Sequence, residues 1–115
     1  MLQRLHRDRL NLNVPVCLPF GGNILGRVSD ISLGGFCLSG SGLQPPTDVD
    51  QVLLLLPWEM NGIRRIELAV EQRWVAPSRG GRWHVGYRII GCPSVDLVAL
   101  NHLSSSFSSR YRQHA

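Results

Sequence analysis

Asp30-Ile31-Ser32-Leu33-Gly34-Gly35 is the stretch on which the reading of this chain turns. It stands between two runs of strand composition, residues 24–28 and 36–38. So short a connection must be a tight turn, yet it carries a carboxylate, a hydroxyl two positions on, and two adjacent glycines. Alternation along an extended backbone puts Asp30 and Ser32 on one side and Ile31 and Leu33 on the other. The expectation is that Ile31 and Leu33 pin the turn to a core while Asp30 and Ser32 face outward together. Gly34 and Gly35 would permit positive φ or a close approach by a ligand. The plainer alternative is a hairpin turn whose Asp and Ser bond their own backbone.

Upstream, residues 1–9 hold Arg4, Arg7 and Arg9 without apolar periodicity and read as a basic, flexible arm. Residues 10–18 alternate Leu10, Leu12, Val14 and Val16 with Asn11, Asn13, Pro15 and Cys17, the pattern of a half-buried strand. Pro15 moves that strand toward an edge or a bulge. Downstream, residues 39–50 are rich in Gly, Pro, Ser and Asp and read as a loop, and residues 51–57 form an apolar strand. Asn61-Gly62 is the strongest short hairpin signal. Residues 63–75 alternate again, with Ile66, Leu68 and Val70 on one face, and residues 83–90 alternate through Trp83, Val85, Tyr87 and Ile89. Trp74 and Trp83 flank one hairpin, which suggests a cross-strand pair in the core or at the barrel rim. Ser94 offers a helix N-cap, and Asp96 sits in the first turn. Leu97, Leu100, Leu103, Phe107 and Tyr111 then make one helical stripe. Ser104-Ser105-Ser106 should weaken that helix.

Six short strands with hairpin turns and one terminal helix predict a mainly all-β domain. It is a small six-stranded antiparallel β-barrel with a C-terminal α-helix. The expected organisation is an arginine-bearing arm over residues 1–9 and a single domain over 10–115, its helix at 94–112. At 115 residues the chain has room for one modest core.

Net charge is +4 and every basic side chain that is not histidine is arginine. An anionic partner is favoured without being named, and guanidinium suits phosphate and guanine edges. No apolar run approaches a membrane span, and the N-terminus lacks the apolar core of a signal peptide. The expected setting is cytoplasmic. Cys17, Cys37 and Cys92 are far apart and read as buried free thiols. His6, His84, His102 and His114 pair with nothing at ligand spacing, so no metal and no cofactor is expected. Catalysis is not expected either: no Gly-x-Ser-x-Gly and no carboxylate–histidine constellation is present.

Asp-x-Ser-x-x-Gly after a strand, complete here as Asp30, Ser32 and Gly35, behind an N-terminal arginine cluster, resembles the PilZ domain family. The resemblance runs from about Gln3 into the C-terminal helix. It implies a PilZ-type barrel that binds cyclic di-GMP, a bacterial second messenger, at Arg4, Arg7, Arg9, Asp30, Ser32 and Gly35. The family's other motif is Arg-x-x-x-Arg just before the first strand, and here it is one residue short. With Arg9 as its second arginine the partner position is Leu5; with Arg7 it is Gln3. Arg4 neighbours both positions on the arm. Without a substitute, one charge-assisted contact is lost, roughly 1.5–3 kcal/mol or about ten- to a hundredfold in affinity. The residue types suit the ligand. Arginine forks onto guanine O6 and N7, a carboxylate accepts from guanine N1–H and its amino group, and a serine hydroxyl donates to phosphate.

Three readings follow. The first is a cyclic di-GMP receptor or adaptor whose arm orders on binding and changes the surface offered to a protein partner, as in motility or biofilm signalling. The second is a PilZ-like protein-interaction module that has lost the nucleotide, for example in pilus or motility regulation. The third is a small barrel binding single-stranded nucleic acid through Trp58, Trp74, Trp83 and the scattered Arg64, Arg65, Arg73, Arg79, Arg82 and Arg88.

Overall fold

The computed structural model describes residues 12–77 and 79–114, with side chains for 12–77 and 80–108. Among the described residues six strands, β1 (Pro15–Cys17), β2 (Ile24–Ile31), β3 (Gly35–Ser41), β4 (Gln51–Met60), β5 (Ile63–Pro77) and β6 (Arg82–Gly91), precede one helix, α1 (Leu97–His114). All pairings are antiparallel, and the order β1-β2-β3-β6-β5-β4 closes on itself. Closure leaves no unpaired sheet edge.

The period-two pattern delivers the core. Val16, Val28, Leu38, Leu54, Ile66, Leu68, Val70 and Val85 point inward, none more than 4% exposed. Trp83, 2% exposed, fills the barrel interior. Its indole lies against β3 where a side chain would not fit: a Cβ on Gly40 would stand 2.4 Å from the ring. The expected Trp74–Trp83 pair does not form. Trp83 stands opposite Pro77 in the ladder and Trp74 opposite Gly86, and Trp74 is half exposed on the outer face.

The β4–β5 hairpin turns at Asn61 (φ 53°) and Gly62 (φ 79°), the left-handed pair that Asn-Gly supplies. β1 is not an edge strand. It pairs with β2 and β4, and Pro15 lies just outside the β4 ladder, next to a bulge between Val16 and Cys17.

A 3-10 turn, Ser94–Asp96, leads into α1; Pro93, not Ser94, occupies its N-cap, with no side-chain cap. Asp96 is buried instead of lying along a solvent-facing first turn, and its Oδ2 accepts the Glu67 N–H at 3.3 Å. That contact fixes the helix start to β5. The buried stripe of α1 is Ala99, Leu100, Leu103 and Phe107, while Leu97 is 48% exposed. The expected stripe therefore begins two residues late, because the 3-10 turn rotates the first helical residue away from the barrel. Tyr111 lies outside the described side chains. The helix runs unbroken through its serines, where Ser106 Oγ donates to the His102 carbonyl at 3.0 Å.

Candidate functional site

Two bulges place the outer-face side chains that matter. Simple alternation from Val28 would send Asp30 inward. A bulge at Ser29 resets the phase, so that Val28 pairs with Leu38 and Asp30 with Cys37. The same happens in β5. The phase set by Ile66, Leu68 and Val70 would bury Trp74, but a shift between Gln72 and Trp74 pairs Gln72 with Tyr87 and Trp74 with Gly86. A bulge re-aims the side chains that follow it. Here two bulges bring Asp30 and Trp74 onto one cross-strand row, Asp30–Cys37–Gly86–Trp74. Three strand spacings of about 4.8 Å put its ends about 14 Å apart.

Trp74 narrows that row. An ideal Cβ on Gly86 would lie 2.2 Å from both Cε2 and Nε1 of the indole, so the ring is laid over the β6 backbone toward Asp30. The result is a cleft of about 270 Å³ to which Asp30, Ser32, Gly35, Cys37, Arg73 and Trp74 contribute. Phe36 and Tyr87 line it from beneath, their rings stacked 5.2 Å apart at 25°.

The Asp30 turn is preordered. Asp30 Oδ1 accepts the Ile31 N–H at 2.9 Å, and the Ser32 N–H donates to the Gly35 carbonyl at 2.8 Å. Ser32 Oγ accepts the Gly34 N–H at 3.3 Å and donates to the Gly35 carbonyl at 3.4 Å. The self-bonded hairpin is thus present together with the outward carboxylate and hydroxyl; both are exposed. Ile31, 3% exposed, anchors the turn, and Ser104 Oγ of α1 reaches its carbonyl at 3.5 Å. Leu33 does not anchor anything: it is 55% exposed at the turn tip, because the strand alternation ends at Ile31.

Gly35 also meets a packing constraint within the sheet. A Cβ there would stand 2.5 Å from the Tyr87 carbonyl oxygen, so β3 and β6 approach too closely for any side chain. Neither Gly34 nor Gly35 takes a positive φ. Burial pushes the Tyr87 phenol up to about 12, and its hydroxyl, like Gln72 Nε2, is buried without a hydrogen-bond partner. Arg73, which also lines the cleft, reaches Glu71 Oε1 at 3.2 Å with both side chains half exposed.

Of the residues expected from sequence, Asp30, Ser32 and Gly35 come together here, while Arg4, Arg7 and Arg9 lie outside the described residues. By sequence Arg73 belongs to a charged strand face and Trp74 is a packing aromatic. Only the bulge separates those readings from a place in the cleft, and no residue type marks it. Cys37 and Cys92 are half-buried, not buried like Cys17, and all three thiols are free. Among the described residues no cluster of three or more His, Cys, Asp or Glu could hold a metal, and no helix is long and apolar enough to cross a membrane.

Closed barrel, capping helix and outer-face cleft define the class: a small β-barrel domain with a cleft on the sheet itself. The PilZ domain family matches residues 3–105, and the chain belongs to that family. PilZ domains are receptors for cyclic di-GMP, binding domains and not enzymes. No curated protein and no solved structure matches the chain.

Proposed function

We propose that this chain is a cyclic di-GMP receptor module whose ligand lies in the cleft between the Asp30 turn and the Trp74 indole. The observation that supports this most is the pair of bulges. Two independent departures from strand regularity turn a carboxylate and an indole onto one row, where neither serves the core. Asp30 accepts from a guanine edge, Ser32 donates to a phosphate oxygen, Trp74 offers a stacking face, and Arg73 supplies positive charge. Single bases stacked on aromatic side chains gain roughly 1–3 kcal/mol each.

The arm over residues 1–9 completes the reading. β1 runs antiparallel to β2, with Pro15 opposite Arg27 and the Val14 carbonyl accepting the Val28 N–H. The chain upstream of Leu12 therefore starts level with the Asp30 end of β2. Arg9 lies three residues before Leu12, about 10 Å of extended chain, and Arg4 eight residues, about 27 Å. Arg4's span exceeds the roughly 14 Å between the ends of the Asp30–Trp74 row, and Arg9's reaches most of the way across it. Arg4, Arg7 and Arg9 close over the bound nucleotide, and that ordering presents a new surface to a protein partner. Ordering the arm costs conformational entropy, so affinity is moderate.

Calorimetry with cyclic di-GMP tests this. Wild-type chain gives a binding isotherm in the micromolar range, Asp30→Ala removes it, and Arg9→Ala weakens it by roughly tenfold. No heat at high micromolar ligand rejects the reading and favours the interaction module without nucleotide.

A further inference from the structure

The end of the barrel away from the Asp30 turn carries a second arrangement that the nucleotide reading leaves unused. β3 and β4 are not neighbours in the sheet, so loop 42–50 crosses the barrel end between them, held down by buried Pro45 and Val49. On the β6 side of this crossing, Ser41 pairs with Arg82 and the Gly42 N–H donates to the Gly81 carbonyl at 3.0 Å. The next residue, Leu43, is 94% exposed, an apolar knob two positions along the chain from the ladder partner of exposed Arg82. On the β1 side, Leu18, Pro19, Pro46 and Val49 line a cleft of about 340 Å³ with Asp48 and Asp50. Both of those residues are exposed. Phe20 contributes to the same cleft and is 87% exposed.

A leucine and a cation on one half, and an apolar cleft beside two carboxylates on the other, make this end complementary to itself. Self-complementarity is the condition for a two-fold, isologous interface, and exposed apolar groups gathered at one end of a small domain mark an interaction surface. We infer that two copies of the chain pair end to end through this surface. Leu43 of each copy enters the cleft of the other, and Arg82 of each meets the other's Asp48 and Asp50. The apolar knob gives the contact its adhesion, and the crossed charges fix its register. The nucleotide cleft lies toward the other end and stays open in both copies.

Sedimentation equilibrium on the full chain without nucleotide, from roughly ten micromolar to about one millimolar, is the test. The wild type shows a reversible monomer–dimer equilibrium, and Leu43→Glu raises its dissociation constant at least roughly tenfold. Charge exchange separates interface from folding defects. Arg82→Glu alone and the double variant Asp48→Lys, Asp50→Lys alone stay monomeric, each with the far-ultraviolet spectrum of the wild type. Mixed in equal amounts, they restore a heterodimer, since both crossed contacts become attractive again. A wild type that stays monomeric over the whole range overturns the inference. So does a dimer that these substitutions leave untouched, or a mixture that fails to associate.

Discussion

Gly86→Ala is the smallest perturbation that separates the cleft from the fold. The added methyl would lie 2.2 Å from two atoms of the Trp74 ring, against an ordinary carbon contact of about 3.5 Å, so the indole must lift by more than about 1 Å. It has somewhere to go, because 49% of the side chain is already exposed. Full burial of a tryptophan removes roughly 150–250 Å² from water, so about 100 Å² is at stake. At about 25 cal/mol per Å² the upper bound on lost stability is about 2.5 kcal/mol, or a fall in Tm of roughly 5–15 °C. A tilted ring also loses its stack on the base, which weakens cyclic di-GMP binding by roughly five- to a hundredfold. Thermal melts and calorimetry read the two effects, and the Trp74 emission, isolated by comparison with Trp74→Phe, shifts to the red as the ring leaves the sheet. Gly40→Ala is the control: it forces the same clash on Trp83 inside the barrel, costs more stability and leaves the cleft chemistry alone. The reasoning fails if Gly86→Ala melts, emits and binds as wild type.

Tyr87 sets an alkaline limit. Its phenol is raised in the folded chain to about 12 from an ordinary 10.0. The associated stability is therefore whole below pH 10 and is lost as pH rises through the folded value, on the order of 3 kcal/mol at most. Denaturant melts at rising pH should show this slope for wild type and lack it for Tyr87→Phe. That variant also removes a buried hydroxyl without a partner and should be no less stable at pH 7. Phe107→Ala empties a fully buried site under α1 and should cost about 3–5 kcal/mol. Hydrogen exchange should show it loosening α1 and the Asp30 turn that α1 backs, and intact protection there would argue against that support.

How far the sequence carried depended on where strand periodicity held. Ile66 to Val70, Val85 and Tyr87 announced their inward face, and Asn61-Gly62 announced its turn, so the barrel was legible. The motif at Asp30, Ser32 and Gly35 was legible as a cluster because it is contiguous. Trp74 and Arg73 were not, because their place depends on one extra residue in β5 and on a glycine across the ladder. Leu33 and Leu97 misled for a related reason. Each continues an apolar pattern one step past the point where the backbone changes from strand to turn, or from 3-10 turn to α-helix. Apolarity records a preference for burial, and chain direction decides whether it is met.

Amide chemical-shift mapping during a cyclic di-GMP titration tests the cleft between Asp30 and Trp74 most directly. The amides of Ile31, Ser32, Gly34 and Gly35 and the indole N–H of Trp74 should move together along one saturating curve. Shifts confined to other parts of the barrel, or none at all at saturating ligand, would contradict it.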